Sequence, residues 1–111
     1  MHTDDAPSLR VSTQAEGAVT VLRLAGELDL STSRQLDQRV QTVLRRESGV
    51  RRLVVDIGGL EFLDVAGLTA LLDASDRIHA AGGTLALRRP RPMVLRMLSL
   101  LKLDDRVEIE D

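Results

Sequence analysis

The chain has 111 residues, 43% of them hydrophobic and 29% charged, with a net charge of −2, which suits one soluble domain and leaves no room for a second of useful size. It contains no cysteine, so a disulfide framework, a thiol nucleophile and a Cys-based zinc site are all excluded, and a reducing compartment, the cytoplasm, is the expected setting. Phe62 is the sole aromatic residue and acidic residues outnumber basic ones, which removes the stacking platforms and the positive field of most nucleic-acid binders.

The opening run Met1-His2-Thr3-Asp4-Asp5-Ala6-Pro7 is acidic where a signal peptide is basic, and no apolar stretch follows it. Residues 1–8 are expected to form a frayed tail ahead of a single domain at 9–111. Leu9 to Ala15 and Val19 to Ala25 alternate, with Glu16-Gly17 as the turn between them, and predict a β-hairpin. Thr32 and Gln35 have the spacing of a capping box, and Leu36, Val40, Val43 and Leu44 then recur at helical intervals. That helix ends near Arg45-Arg46, where positive charge suits the helix dipole.

Leu53-Val54-Val55-Asp56-Ile57 reads as a central strand covered by helices on both faces, after which Gly58-Gly59 loosens the chain. Asp64 is the expected N-cap of a helix carrying Leu68, Leu71, Leu72 and Ile78 and closed by Gly82-Gly83. Thr84 to Leu87 predicts another strand. Pro90 and Pro92 break the chain before a helix with Val94, Met97, Leu98 and Leu101 on one face, and Val107 to Ile109 is the last strand. The order ββαβαβαβ implies an α/β fold: a mostly parallel sheet with an N-terminal hairpin and helices packed against it. The longest nearly apolar stretches, Val65 to Leu72 and Met93 to Leu103, fall short of the roughly 20 residues that span a bilayer.

Three segments together resemble the STAS domain family, shared by anti-sigma factor antagonists and the cytoplasmic ends of sulfate transporters. They are Gly26-Glu27-Leu28-Asp29, Leu53-Val54-Val55-Asp56, and Leu60-Glu61-Phe62-Leu63-Asp64-Val65-Ala66-Gly67-Leu68, and the likeness runs from about Val19 to Ile109. With no transporter membrane domain attached, the resemblance implies a free-standing bacterial antagonist that binds an anti-sigma factor and releases its sigma factor. In that family the start of the second long helix is usually Asp-Ser-Ser/Thr-Gly, and the residue after the Asp is phosphorylated by the anti-sigma factor acting as a serine kinase. Here the acceptor position is Val65 and the next residue is Ala66, so phosphoryl transfer at this site is chemically impossible. The resemblance implies a partner surface of Asp29, Ser31, Thr32, Asp64, Val65, Ala66, Gly67 and Thr69. Within the same fold the alternatives are an accessory subunit of an ABC-type lipid transporter and a phosphorylation-independent scaffold.

Each of these residues also has an ordinary role. Asp64 and Asp29 serve as caps whether or not they meet a partner. Thr69, one turn after Val65, is the nearest replacement phosphoacceptor, although most such threonines are plain surface residues. Ser31, Thr32 and Ser33 are weaker candidates because a capping hydroxyl is partly occupied. Glu61 and Asp64 form a carboxylate pair at a commonplace spacing, and His79, near a helix end, has no partner at a metal-ligand spacing. Neither supports catalysis, and no cofactor or metal is expected. Arg45-Arg46, Arg51-Arg52 and Arg88-Arg89 with Arg91 are read as solvated element ends, and Met93, Met97 and Leu98 as core.

Overall fold

The structure, a computed structural model, describes residues 8–46 and 51–110. Most of the expected tail lies outside the described residues. Its last member, Ser8, accepts a backbone hydrogen bond from the Glu27 N–H at 3.0 Å.

The change of hydrophobic period along the chain is realised as β1 (Leu9–Glu16), β2 (Val19–Leu28), α1 (Ser33–Arg46), β3 (Arg52–Leu63), α2 (Val65–Ala80), β4 (Thr84–Arg88), α3 (Pro92–Leu100) and β5 (Glu108–Ile109). One sheet holds the strands in sequence order, β1 antiparallel to β2 and the rest parallel. The expected α/β architecture is therefore present, with β3 in the middle. Buried residues of all three helices join Leu22, Leu24, Leu53, Val55, Ile57, Leu85 and Leu87 in one core.

The expectation that helices cover both faces of β3 is corrected. Val21, Val54 and Ala86 are aligned across β2, β3 and β4 and are fully buried, yet strand alternation turns them away from that core. Ion pairs roof this second face. Arg52 bonds Glu108 at 2.7 Å, Arg88 pairs with Glu110 and lies 3.3 Å from Glu16, and Arg89 grips the buried carboxylate of Asp56 at 2.8 and 3.1 Å. Arg52, Arg88 and Arg89 are thus not merely solvated strand ends. Gly58 belongs to this roof, since a Cβ there would stand 2.9 Å from the Arg89 guanidinium.

Three further expectations change. The strand does not stop at Ile57: it runs through Gly58-Gly59 to Leu63, with shifts in its register against β2. The capping box forms one turn early. The Asp29 carboxylate accepts from the Thr32 N–H (3.1 Å), while the Thr32 hydroxyl oxygen accepts from the Asp29 N–H (3.0 Å) and its hydrogen goes to the Glu27 carbonyl (2.9 Å). Gln35 takes no part in it. A short polar side chain three residues after Asp29 closes the same reciprocal pair as the usual Glu or Gln. In α3 only Val94 and Leu98 are buried. Met93 and Leu101, at or beyond the helix ends, are about half exposed.

Candidate functional site

Strands β2 and β3 end side by side, with Leu28 and Leu63 as partners in register and both buried. The chain therefore leaves the sheet twice at neighbouring points, through Asp29 and through Asp64. This is the carboxyl edge of the parallel strands, where α/β folds place their sites.

At the second exit the Asp64 carboxylate accepts from the Gly67 N–H at 2.8 Å and caps α2 as expected. Gly67 is buried, and a Cβ on it would lie 2.2 Å from the Leu28 carbonyl oxygen and 2.8 Å from Leu63. Only a glycine lets the first turn of α2 rest on the end of β2. At the first exit Asp29 Oδ1 accepts from the Ser31 N–H (2.9 Å), the Ser31 hydroxyl (2.8 Å) and the Thr32 N–H. The Ser31 hydroxyl, with further help from Thr32 and the two amides, outweighs the opposing effect of burial and holds the Asp29 carboxyl below the usual carboxylate range. It is an anion at neutral pH.

Between the caps the chain turns aliphatic side chains outward. Leu30 is 79% exposed and Val65 61%. Both side chains leave apolar surface in water at the edge where β2 and β3 end. Leu30 also forms the mouth of a cleft of about 370 Å³ between α1 and α2, with Arg34 and Asp73 on its walls. On the other side Phe62 and Met93, each about half exposed, line a small hollow with Glu61 and Arg91.

The structure brings the eight sequence-selected residues to this one edge but gives them different parts. Asp29, Ser31, Asp64, Val65, Ala66 and Thr69 are at least partly open, whereas Thr32 and Gly67 are buried and shape the surface from beneath. The hydroxyls nearby are engaged: Thr69 donates to the Val65 carbonyl at 2.9 Å, and Ser33 to the Leu30 carbonyl at 3.3 Å. Of the carboxylates Glu61 and Asp64, Asp64 caps α2 and Glu61 is exposed beside the Phe62–Met93 hollow. His79 is exposed. The sequence reading did not select Leu30 or Phe62 for the surface and placed Met93 in the core, whereas all three are substantially exposed. For Leu30 the signal was available, since it is out of phase with the buried Leu36, Val40 and Val43 stripe.

Residues 11–110 match the family described as Mlab, STAS domain. The chain belongs to this family. Among curated relatives of this STAS domain is an anti-sigma F factor antagonist of Paenibacillus polymyxa, 28% identical over 93 residues, covering 84% of this chain and 79% of the relative. Others are matched over 57 to 64% of their own length. The same fold occurs in an anti-sigma factor antagonist from Mycobacterium paratuberculosis, with a TM-score of 0.78, 24% identity, and coverage of 91% of this chain and 84% of that one. It occurs also in the antagonist SpoIIAA in its unphosphorylated form, with a TM-score of 0.71, 20% identity, and coverage of 92% and 88%. Among the described residues, no helix of the STAS domain is long and apolar enough to cross a membrane.

Proposed function

We propose that this STAS domain, spanning residues 9–111, is an anti-sigma factor antagonist of the bacterial cytoplasm. In this reading it docks a serine-kinase-type anti-sigma factor on the edge formed by Asp29, Leu30, Ser31, Asp64, Val65, Ala66 and Thr69. Capture of the anti-sigma factor frees a sigma factor, and the chain performs no chemistry of its own. The observation that carries the reading is Val65, an exposed aliphatic side chain at the start of α2 beside the Asp64 cap, with exposed Leu30 following the neighbouring strand end.

A phosphate at position 65 would face the free N–H groups of the helix start and add about −1.5 to −2 charges beside Asp64, enough to repel an acidic partner. Valine cannot acquire that charge. The proposed antagonist is therefore permanently competent, and its effect is set by its abundance.

Affinity co-purification of the tagged chain from its own cells, with the intact mass of the bait, tests the reading. The expected result is an anti-sigma factor held by unphosphorylated bait. A transporter ATPase or permease in its place would replace the reading with a transporter-accessory role, and bait with an added phosphate would remove the permanent state. Val65→Asp tests the surface itself. A charge buried unpaired at the contact costs about 3 kcal/mol or more, over a hundredfold in affinity, whereas unchanged binding would rule this edge out.

A further inference from the structure

The two edges of the sheet are unequal. At one side β5 has only two residues, which leaves little unpaired backbone. At the other, β1 runs for eight residues in unbroken register with β2, carries no proline, and among the described residues pairs with no strand on its outer side. A long regular edge of this kind is a template for another strand.

We propose that the occupant is a second copy of this chain, paired antiparallel through β1 about a two-fold axis at Thr13. The sequence Leu9-Arg10-Val11-Ser12-Thr13-Gln14-Ala15-Glu16 is complementary to itself in that register. Arg10 faces Glu16, Val11 faces Ala15 and Ser12 faces Gln14, each twice, and paired residues share a sheet face because their numbers have the same parity. Moving the axis to Ser12 sets Arg10 against Gln14, and moving it to Gln14 sets Ser12 against Glu16. Either shift loses both charge pairs.

The chain leaves these charges available. Arg10 is exposed and makes no ion pair among the described residues. Glu16 lies 3.3 Å from Arg88, but Arg88 has Glu110 as its closer partner, so Glu16 can turn to Arg10 of the second copy without leaving Arg88 unpaired. On the helix side a hollow of about 340 Å³ runs along the same edge past the half-buried Val11, where Ala15 of the second copy would sit. Pairing yields one sheet of ten strands, five from each copy. Because the two copies of β2 then run in opposite directions, their carboxyl edges with Leu30 and Val65 lie at opposite ends of the dimer, each open to its own partner.

The test is sedimentation velocity on the full chain over a concentration series, with Arg10→Glu and Glu16→Arg made separately and then mixed. Each variant alone sets like charges opposite each other twice, whereas the mixed pair restores both attractions in a heterodimer. The expected result is a dimer for the original chain, a dissociation constant raised about tenfold or more in each variant alone, and recovery on mixing. An original chain that stays monomeric up to about 1 mM, a dimer indifferent to both substitutions, or variants that fail to recover when mixed would each overturn the proposal. Circular dichroism of the two variants, whose altered side chains are exposed, establishes that loss of pairing is not loss of fold.

Discussion

Gly67→Ala separates two forces that act in opposite directions on one residue. In an exposed helix alanine is favoured over glycine by about 1 kcal/mol, so propensity alone predicts a more stable protein. The structure predicts the reverse. The added methyl would stand 2.2 Å from the Leu28 carbonyl oxygen and 2.8 Å from Leu63 Cδ1, far inside carbon–oxygen and carbon–carbon contact. The oxygen belongs to the backbone of β2 where it pairs with β3, so it cannot swing aside as a side chain would, and α2 must lift instead. Overpacking of a rigid site costs roughly 3 kcal/mol, and after the gain in propensity the net loss is about 2 kcal/mol, or roughly 10 °C in melting temperature for a domain of this size. Urea melts followed by circular dichroism measure it, with Thr69→Ala, an exposed change in the same helix, as the control that stays within about 0.5 kcal/mol. A Gly67→Ala midpoint equal to or above that of the original chain would refute the close approach of α2 to β2. Lifting α2 also displaces Asp64 and Val65, so partner binding should weaken along with stability.

Together with Asp29, Glu108 and Glu110, which are also held below their usual values, Asp56 contributes to the acid side of the stability curve. Burial pushes its pKa up, but the Arg89 hydrogen bonds, the Gly58 amide, the Arg89 charge and Arg23 outweigh burial and hold it below the usual value. Its stabilisation is present above the unfolded-state pKa and is lost as pH falls through the lower folded value, so urea midpoints should drop below about pH 4. Asp56→Asn should flatten that decline while lowering the midpoint at pH 7. Asp64→Ala removes the acceptor for the Gly67 N–H and should cost about 1 kcal/mol, read as a lower urea midpoint at pH 7. Val65→Ser changes an exposed position and should leave the midpoint within about 0.5 kcal/mol. Under the proposed function it also restores a phosphoacceptor, so incubation with the kinase-type partner and ATP should add one phosphate to the intact mass and release the complex.

The order and type of the elements were legible in the sequence: the hairpin and helices through their apolar period, β3 through its continuous apolar run, and the breaks through glycine and proline. The failures are local and share a physical cause, which is that the deciding contact comes from elsewhere in the chain. Gly58-Gly59 looks like a break, but β2 on one side supplies a pairing partner, so β3 continues. Arg88 and Arg89 look like solvated charges because Asp56 and Glu110 are 33 and 22 residues away in sequence. Thr32 and Gln35 have the spacing of a capping box, but the Asp29 carboxylate takes the Ser31 and Thr32 amides, and the Gln35 N–H goes to the Thr32 carbonyl. At the site, the two capping aspartates could be read from position alone. The exposure of Val65 could not, since it is in phase with the buried Leu68 and Leu72. It is open because it lies past the ends of β2 and β3, where the core has stopped.

Leu28-Asp29-Leu30 and Leu63-Asp64-Val65 are the same device built twice at neighbouring strand ends. In each, a buried leucine closes the strand, an aspartate oxygen takes up amides two or three residues further on, and the residue between is left outside. The cap at Asp64 reaches over position 65 to Gly67, so the side chain at 65 contributes nothing to starting α2. The shape of the proposed docking edge thus rests on Asp29, Thr32, Asp64 and Gly67, while under the proposed function the chemistry of a phosphate switch would rest on position 65. A protein built this way can change the residue at 65 and keep the edge, because Val65 is 61% exposed and, among the described residues, lies outside the buried core. Under the proposed function Val65 and Ala66 remove that switch, while the Asp29 and Asp64 caps keep the shape of the edge.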